Sequence, residues 1–264
     1  MTRQNYYKRR SLRERERIDE SLILELVRRE RCHHPQMGVR KLHFLLARDM
    51  RLAGIELGRD RLFMLLSRHN LLIRRKRHGV RTTQSWHGFG VYPNLVRDLV
   101  LEESHQLLVS DITYIRSLEG FMFLSLVMDA FSRTIVGYDS SDSLEMEGAL
   151  RALLMAQGQL PARSRPMHHS DRGSQYCCGA YIAQLRKREM PISMTEENHC
   201  YENAKAERLN GILKQEYGLG DTFRHKADIG MAVKEAVHLY NYCRPHGALG
   251  NRIPMSVHRE LAAV

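Results

Sequence analysis

The stretch LLVSDITYIRSLEGFMFLSLVMDAFSRTIVGYD, residues 107–139, decides the fold. LLVSDITYI is β-rich, SLEG is turn-like, FMFLSLVMD is an apolar run, and a further turn precedes SRTIVGYD. Three strands joined by tight connections predict a β-meander. Downstream, SLEMEGALRALLMAQGQ (143–159) has helical spacing and Pro161 follows it. A short strand should end near His168, and YIAQLRKRE (181–189) reads as helix, PISMT (191–195) as extended and NAKAERLNGILKQEY (203–217) as helix. The order β-β-β-α-β-α-β-α predicts an α/β fold with a mixed five-stranded sheet and flanking helices. Residues 226–243 predict one more amphipathic helix before RPHGALGNRIP.

Asp111 lies inside the first of these strands, where a charge is expensive to bury unless it is paired or metal-bound. Alternation puts it on the same face as Val109 and Thr113. In HHSDRGSQY (168–176), Asp171 follows the fourth strand and has two readings, a turn cap or one of several carboxylates meeting at a metal. Glu207 lies on the long helix that follows. If strands one and four are neighbours, these three carboxylates converge. Their hard oxygen donors suit two Mg²⁺ or Mn²⁺ ions, about 3.5–4 Å apart in sites built for in-line phosphoryl displacement. Around them, Arg172, Gly173 and Ser174 shape a turn, with Gly173 expected to allow positive φ. Asp129 is expected in a turn, Asn203 as a helix cap, and Glu202 and Glu216 in solvent. His168 and His169 stand beside Asp171, where one could orient it or touch a phosphate, although loop histidines usually do neither.

The upstream part has a different texture. Residues 11–31 read as a helix with apolar positions Ile18, Leu22 and Leu26, which the HHP at 33–35 stops. GVRKLHFLLARDMRLAG (38–54) and RDRLFMLLSRHNL (59–71) read as amphipathic helices joined through a short Gly-containing turn. This is the pattern of a helix-turn-helix, although a small bundle used only for packing has the same pattern. Arg59, Arg61 and Arg68, with the cluster Arg74, Arg75, Lys76 and Arg77, favour DNA contact. Residues 78–97 break all periodicity, and the lone Trp86 within them suits packing or base stacking. The expected division is therefore a basic helical DNA-binding region over 1–80, a linker over 81–97 and a catalytic core with a C-terminal helical extension over 98–264.

Charge follows that division. The net charge is +11, with 23 Lys and Arg against 9 Asp and Glu in residues 1–97, and 18 against 21 in residues 98–264. All the excess positive charge lies in the first third, which points to a polyanion held there. The five cysteines form no C-x-x-C pair and lack zinc-ligand spacing, which argues against a disulfide framework and for a reducing compartment. No apolar run approaches the roughly 18 residues of a membrane span, and the charged start MTRQNYYKRR is unlike a signal peptide. A cytoplasmic, nucleoid-associated protein is expected.

DITYI (111–115), HSDRGSQY (169–176) and YENAKAERLNGILKQE (201–216) resemble the three signature blocks of DDE transposases of the insertion-sequence-three family, relatives of retroviral integrases in the RNase H-like superfamily. The 35 residues between Asp171 and Glu207 match that family's spacing. FSRTIVGY (131–138), YNYCRPHGALGNRIP (240–254) and GVRKL (38–42) are similar to flanking family blocks, so the resemblance covers roughly 35–258. The chain departs from the family pattern at Leu108, where the family usually has Trp, at Glu197-Asn198-His199, and at Glu202 in place of Asp.

The resemblance implies an RNase H-like core with Asp111, Asp171 and Glu207 as catalytic metal ligands. It implies a DNA contact at Lys214, two helical turns beyond Glu207 and on the same face. It further implies DNA as partner, a homo-multimer on two element ends, and a downstream-frame product that also works as a fusion with an upstream frame. The expected activity is metal-dependent cleavage at the ends of an insertion sequence, then strand transfer by the freed 3′-OH. A catalytically inactive repressor of element ends and an RNase H-like nuclease unrelated to transposition are the alternatives. The charge map makes one prediction. DNA binding should weaken steeply with salt, log K falling against log salt with a slope of roughly −0.9 per phosphate contacted. A flat response would contradict the placement of the polyanion.

Overall fold

The computed structural model describes residues 3–73, 90–196 and 204–260, and the chain divides into two compact units, residues 1–76 and 77–264. The first unit holds three helices, α1 (Arg3–His33), α2 (Val39–Leu52) and α3 (Arg59–Arg68). Their shared core is built from i, i+4 pairs: Ile23 and Val27 of α1, Leu42 and Leu46 of α2, Leu62 and Leu66 of α3. α1 begins eight residues before the predicted start, in a Lys- and Arg-rich turn sequence of good helix formers. Its buried stripe is also displaced from the expected one, since Ile18 is 68% exposed while Ile23, Leu24, Leu26 and Val27 are buried. α2 stops where expected. Gly54 takes φ 69°, its N–H bonds Arg51 O, and Ile55 N–H bonds Met50 O at 2.8 Å. Ile55 and Met50 are both buried, which completes a Schellman motif. Asn70 (φ 54°) ends α3 in the same way, with Leu71 N–H bonding Leu66 O.

The second unit is a five-stranded mixed sheet with helices on both faces. Its strands are β1 (Leu107–Ser117), β2 (Gly120–Asp129), β3 (Ile135–Ser141), β4 (Met167–Ser170) and β5 (Ile192–Met194), in the spatial order β3-β2-β1-β4-β5. β1–β2 and β2–β3 are antiparallel, as the meander predicts, and β1–β4 and β4–β5 are parallel. The helices are α4 (Met146–Gln159), α5 (Ser174–Cys177), α6 (Gly179–Lys187), α7 (Ala204–Glu216), α8 (Ala227–Tyr242) and α9 (Pro254–Glu260). Strand alternation divides the core in two. Leu108, Val127 and Val136 pack with Ala152, Leu153 and Ala156 of α4 and Tyr181 and Leu185 of α6. Val109, Leu124 and Leu126 pack on the other face with Leu209, Ile212 and Leu213 of α7 and Val233 and Tyr240 of α8.

Two expectations change here. Part of the segment expected to be a linker lies along β5. Met194 N–H donates to Pro93 O, Leu95 N–H donates to Ser193 Oγ at 2.9 Å, and Arg97 pairs with Glu196 at 2.8 Å. Glu216, expected in solvent, accepts a two-pronged ion pair from Arg244, Nε–Oε2 at 2.7 Å and Nη2–Oε1 at 2.9 Å, and Arg244 is only 1% exposed. That pair ties the end of α7 to the second residue beyond α8. It could not be read from local pattern because its partners are 28 residues apart.

β3 and α4 meet at backbone distance. A Cβ built on Gly137 would lie 2.0 Å from the carbonyl oxygen of Ala152, whereas one on Gly158 of α4 would meet nothing within 4 Å. Gly137→Ala should therefore cost at least ~2 kcal/mol, a fall of roughly 4–8 °C in Tm. Gly158→Ala should be neutral or stabilising by about 0.5–1 kcal/mol. Equal melting of the two variants would refute the close approach.

Candidate active site

The pairing of β1 with β4 does most to build the site. Val109 is level with His169 in the parallel ladder, so the same offset brings Asp171, just past the end of β4, level with Asp111. Neighbouring strands lie about 4.8 Å apart. Asp111, paired across β2 with Leu126, is half-buried at the point where β1 outruns β4. Asp171 is held by its own turn, Oδ1 accepting Gly173 N–H at 3.0 Å. Gly173 has φ −61°, so its value is room and not the positive φ expected. An added Cβ would stand 3.1 Å from Asp171 Oδ1 and 3.0 Å from Gln175 Oε1.

α7 brings the third carboxylate. Its buried face, Ala206, Leu209 and Leu213, docks on the sheet, and Glu207 remains exposed. Asn210, one turn beyond Glu207, donates Nδ2–H to Asp111 Oδ2 at 2.6 Å. No motif flagged Asn210, although its i+3 spacing from Glu207 would have placed it on that face. Lys214 continues the stripe, half-buried, with Nζ 4.3 Å from the centre of the Tyr114 ring. Burial lowers its pKa, and Asp111 acts in the opposite sense.

Asp111 senses all of this. Burial, then Asp171, push its carboxyl up to about 7, and Glu207 adds to the rise; the Ile112 amide and Asn210 oppose it. The three predicted carboxylates are thus in electrostatic contact, although they are less tightly gathered than a trio elsewhere. Among the described residues, the trio with ligand atoms all within 4.8 Å of one another is His105, Asp129 and His258. An all-carboxylate oxygen donor set with mutual repulsion is what hard divalent cations neutralise, so these residues fit such ions.

Behind Asp111 the floor is aromatic. Tyr176 and Tyr181 stand edge to face at 5.4 Å, and burial raises the Tyr176 hydroxyl, with Tyr181, Asp111 and Asp171 adding to the rise. His168 is 1% exposed, with Nε2 2.8 Å from Ser110 Oγ and 2.9 Å from Tyr181 OH, and burial brings its pKa down to about 3. His169 is fully buried and bonds Ser193 Oγ at 2.9 Å. Both histidines belong to the interior. Asp129 occupies the expected turn, accepting from Phe131 N–H, Ser132 N–H and Ser132 O–H. Cys177 is buried 3.7 Å from Met194 Sδ.

In the N-terminal unit, Arg59, Arg61 and Arg68 are exposed on α3, with Arg59 bonding Asp60 and Arg68 pairing with Glu20. Arg74, Arg75, Lys76, Arg77, Trp86, Glu202, Asn203 and Cys200 lie outside the described residues. No helix among the described residues is long and apolar enough to cross a membrane.

The chain matches the family described as "Integrase core domain" over residues 102–200, and a second family of that description over residues 188–254. It is 33% identical over 240 residues to the transposase for insertion sequence element IS629 of Shigella sonnei, covering 89% of this chain and 78% of that one. It is 35% identical over 173 residues to transposase InsF for insertion sequence IS3A of Escherichia coli K12, covering 64% of this chain and 59% of that one. In fold it is similar to a chain of the simian T-cell lymphotropic virus intasome solved in complex with PP2A regulatory subunit B56 gamma. The TM-score is 0.51 at 16% identity, over 84% of this chain and 75% of that one. The mixed sheet, its flanking helices and these relatives agree: the chain belongs to the insertion-sequence-three family of DNA transposases, DDE-type polynucleotidyl transferases with an integrase-like RNase H core.

Proposed function

We propose that Asp111, Asp171 and Glu207 are the catalytic carboxylates of this transposase and hold two Mg²⁺ ions, or Mn²⁺ in their place. The observation that carries this reading is that Asp171 and Glu207 both act on Asp111, adding to the rise that burial gives its carboxyl. Dependence on a divalent metal goes with the family; which ion serves is part of the proposal. Bound there, the ions supply the charge that favours in-line displacement at phosphorus.

The chain's own residues then do the rest by position. Asp111 keeps a half-buried carboxylate at the strand edge, and Asn210 fixes the direction of its Oδ2. Asp171 is oriented by the Gly173 amide. Glu207 faces solvent, so a DNA strand reaches the carboxylates from that side. Lys214, lying over Tyr114, offers a cation to the phosphate backbone. The reaction is hydrolysis of the phosphodiester at a 3′ end of the element, followed by attack of the freed 3′-OH on a second phosphodiester. No covalent enzyme–DNA bond is needed.

The remaining parts of the reading concern partners and organisation. Residues 1–80 hold the element ends through Arg59, Arg61, Arg68 and the 74–77 cluster, and 98–264 carry out the chemistry. The working form is a homo-multimer on two DNA ends in the bacterial cytoplasm, and fusion to an upstream frame supplies further end recognition.

On a labelled element end with Mg²⁺, Asp171→Asn and Glu207→Gln should each lower cleavage by roughly 10²–10³-fold or more while DNA binding persists. Asn210→Ala, which removes an orienting bond from outside the ligand set, should cost roughly 10–100-fold. Wild-type turnover by Asp171→Asn would remove that residue from the mechanism. In chelator, Asp111→Asn should melt higher than wild type by roughly 2–4 °C or more, about 1 kcal/mol or more. A carboxyl raised from 3.8 to about 7 is destabilising when charged, so the gain is absent below pH 4 and complete above about pH 7. A pH-independent difference would contradict the burial of that charge.

A further inference from the structure

Outside the carboxylate site, one cluster joins three distant parts of the core: His105 at the entry to β1, Asp129 at the end of β2 and His258 on α9. We propose that these three side chains bind a further metal ion, of the zinc class, which pins α9 to the sheet. Each offers a ligand atom within 4.8 Å of the other two.

The hydrogen bonding around them prepares the donors. Ser132 O–H donates to Asp129 Oδ1 at 2.8 Å, so the Ser132 oxygen meets His258 Nδ1, 2.9 Å away, with a lone pair. Nδ1 of His258 therefore carries the hydrogen, and Nε2 keeps the lone pair that a metal needs. An imidazole whose other nitrogen donates to a fixed oxygen is the usual outer arrangement of a metal-binding histidine. Asp129 is wholly buried, and its Oδ2 accepts only the His105 amide at 2.7 Å among the described bonds, leaving capacity on that oxygen.

His105 supplies the least expected feature. Its Nδ1 is buried with no hydrogen-bond partner among the described residues, and its ring stands edge-on to His258 at 4.6 Å. The residue takes φ 66°, a conformation uncommon away from glycine, and such backbone is held where surroundings over-determine it. An orphaned buried nitrogen costs free energy that a coordinate bond would recover.

Two imidazoles and one carboxylate suit Zn²⁺, Co²⁺ or Ni²⁺ and are a poor match for Mg²⁺. The site is thus chemically distinct from the all-carboxylate one. Asp129 pairs with Leu108, three residues and about 10 Å along β1 from Asp111. The competing arrangement is a metal-free one, because Arg133 and Lys205 also act on the Asp129 charge. An ion at 105, 129 and 258 would cross-link residues far apart in sequence and act on stability, independently of the catalytic reading above.

The test uses the full chain, stripped with chelator and held in excess Mg²⁺, to which Zn²⁺ alone is added. Wild type and Asp171→Asn should each retain one equivalent of zinc through desalting. Their Tm should rise by roughly 5–10 °C at a hundredfold excess over Kd. His105→Asn, which tolerates the same backbone, and His258→Gln should lose both the equivalent and the shift. Should His258→Gln fail to fold, Co²⁺ decides the matter: wild type should show the visible bands of low-coordinate cobalt, and His105→Asn should not. No retained zinc in wild type, or zinc and cobalt signals unchanged in the histidine variants, would overturn the site and leave the Arg133 and Lys205 network in its place.

Discussion

The parallel pairing of β1 with β4 is the constraint on which the rest depends. Three ladder positions, ending at Val109 and His169, set the offset that brings Asp111 and Asp171 level. Burial, and then repulsion from Asp171, raise the pKa of Asp111. Hydrogen bonds from the Ile112 amide and Asn210 offset only part of the cost of this arrangement at Asp111. It is imposed by the apolar cores on the two sheet faces, whose burial far outweighs a local repulsion of a few kcal/mol. The fold thus holds the carboxylates together at a local cost, which is the usual relation between a preorganised site and its stability.

α7 shows how one helix serves both sides of that relation. Ala206, Leu209 and Leu213 anchor it to the sheet, while Glu207, Asn210 and Lys214, spaced by three and four residues, form a polar stripe directed at Asp111. Its far end is fixed by Glu216 to Arg244, a buried pair whose removal on one side would strand a charge. Arg244, which opens the block RPHGALG, thereby helps to set the position of the helix that carries Glu207. On the face of β1 opposite Asp111, His168 is tied to Ser110 and Tyr181, while His169, the next residue of β4, bonds Ser193; together they hold β4 in place from within.

Much of this was legible in the residues. β-rich and apolar runs joined by turns in 107–139 announced the meander, Gly54 announced the end of α2, and an isolated aspartate in an apolar strand pointed to the candidate site. The errors have a common cause. Ile18 was assigned to the buried stripe because helical periodicity gives a face but not the partner that covers it. Glu216 looked solvated because its arginine is 28 residues away. Residues 92–97 looked like a linker because irregular backbone can still bond to a strand edge. Asn210 was passed over because an amide has no charge to advertise its role.

The sequence by itself determined the order of elements and singled out three acidic residues as candidates, because these rest on local periodicity and on residue type. Only the tertiary structure decided which side chains touch: Asn210 with Asp111, Arg244 with Glu216, and His105, Asp129 and His258 with one another. The physical reason is that hydrogen bonds, ion pairs and coordination act over a few ångströms. The separations that set those distances come from strand register and helix docking, which are cooperative properties of the whole core.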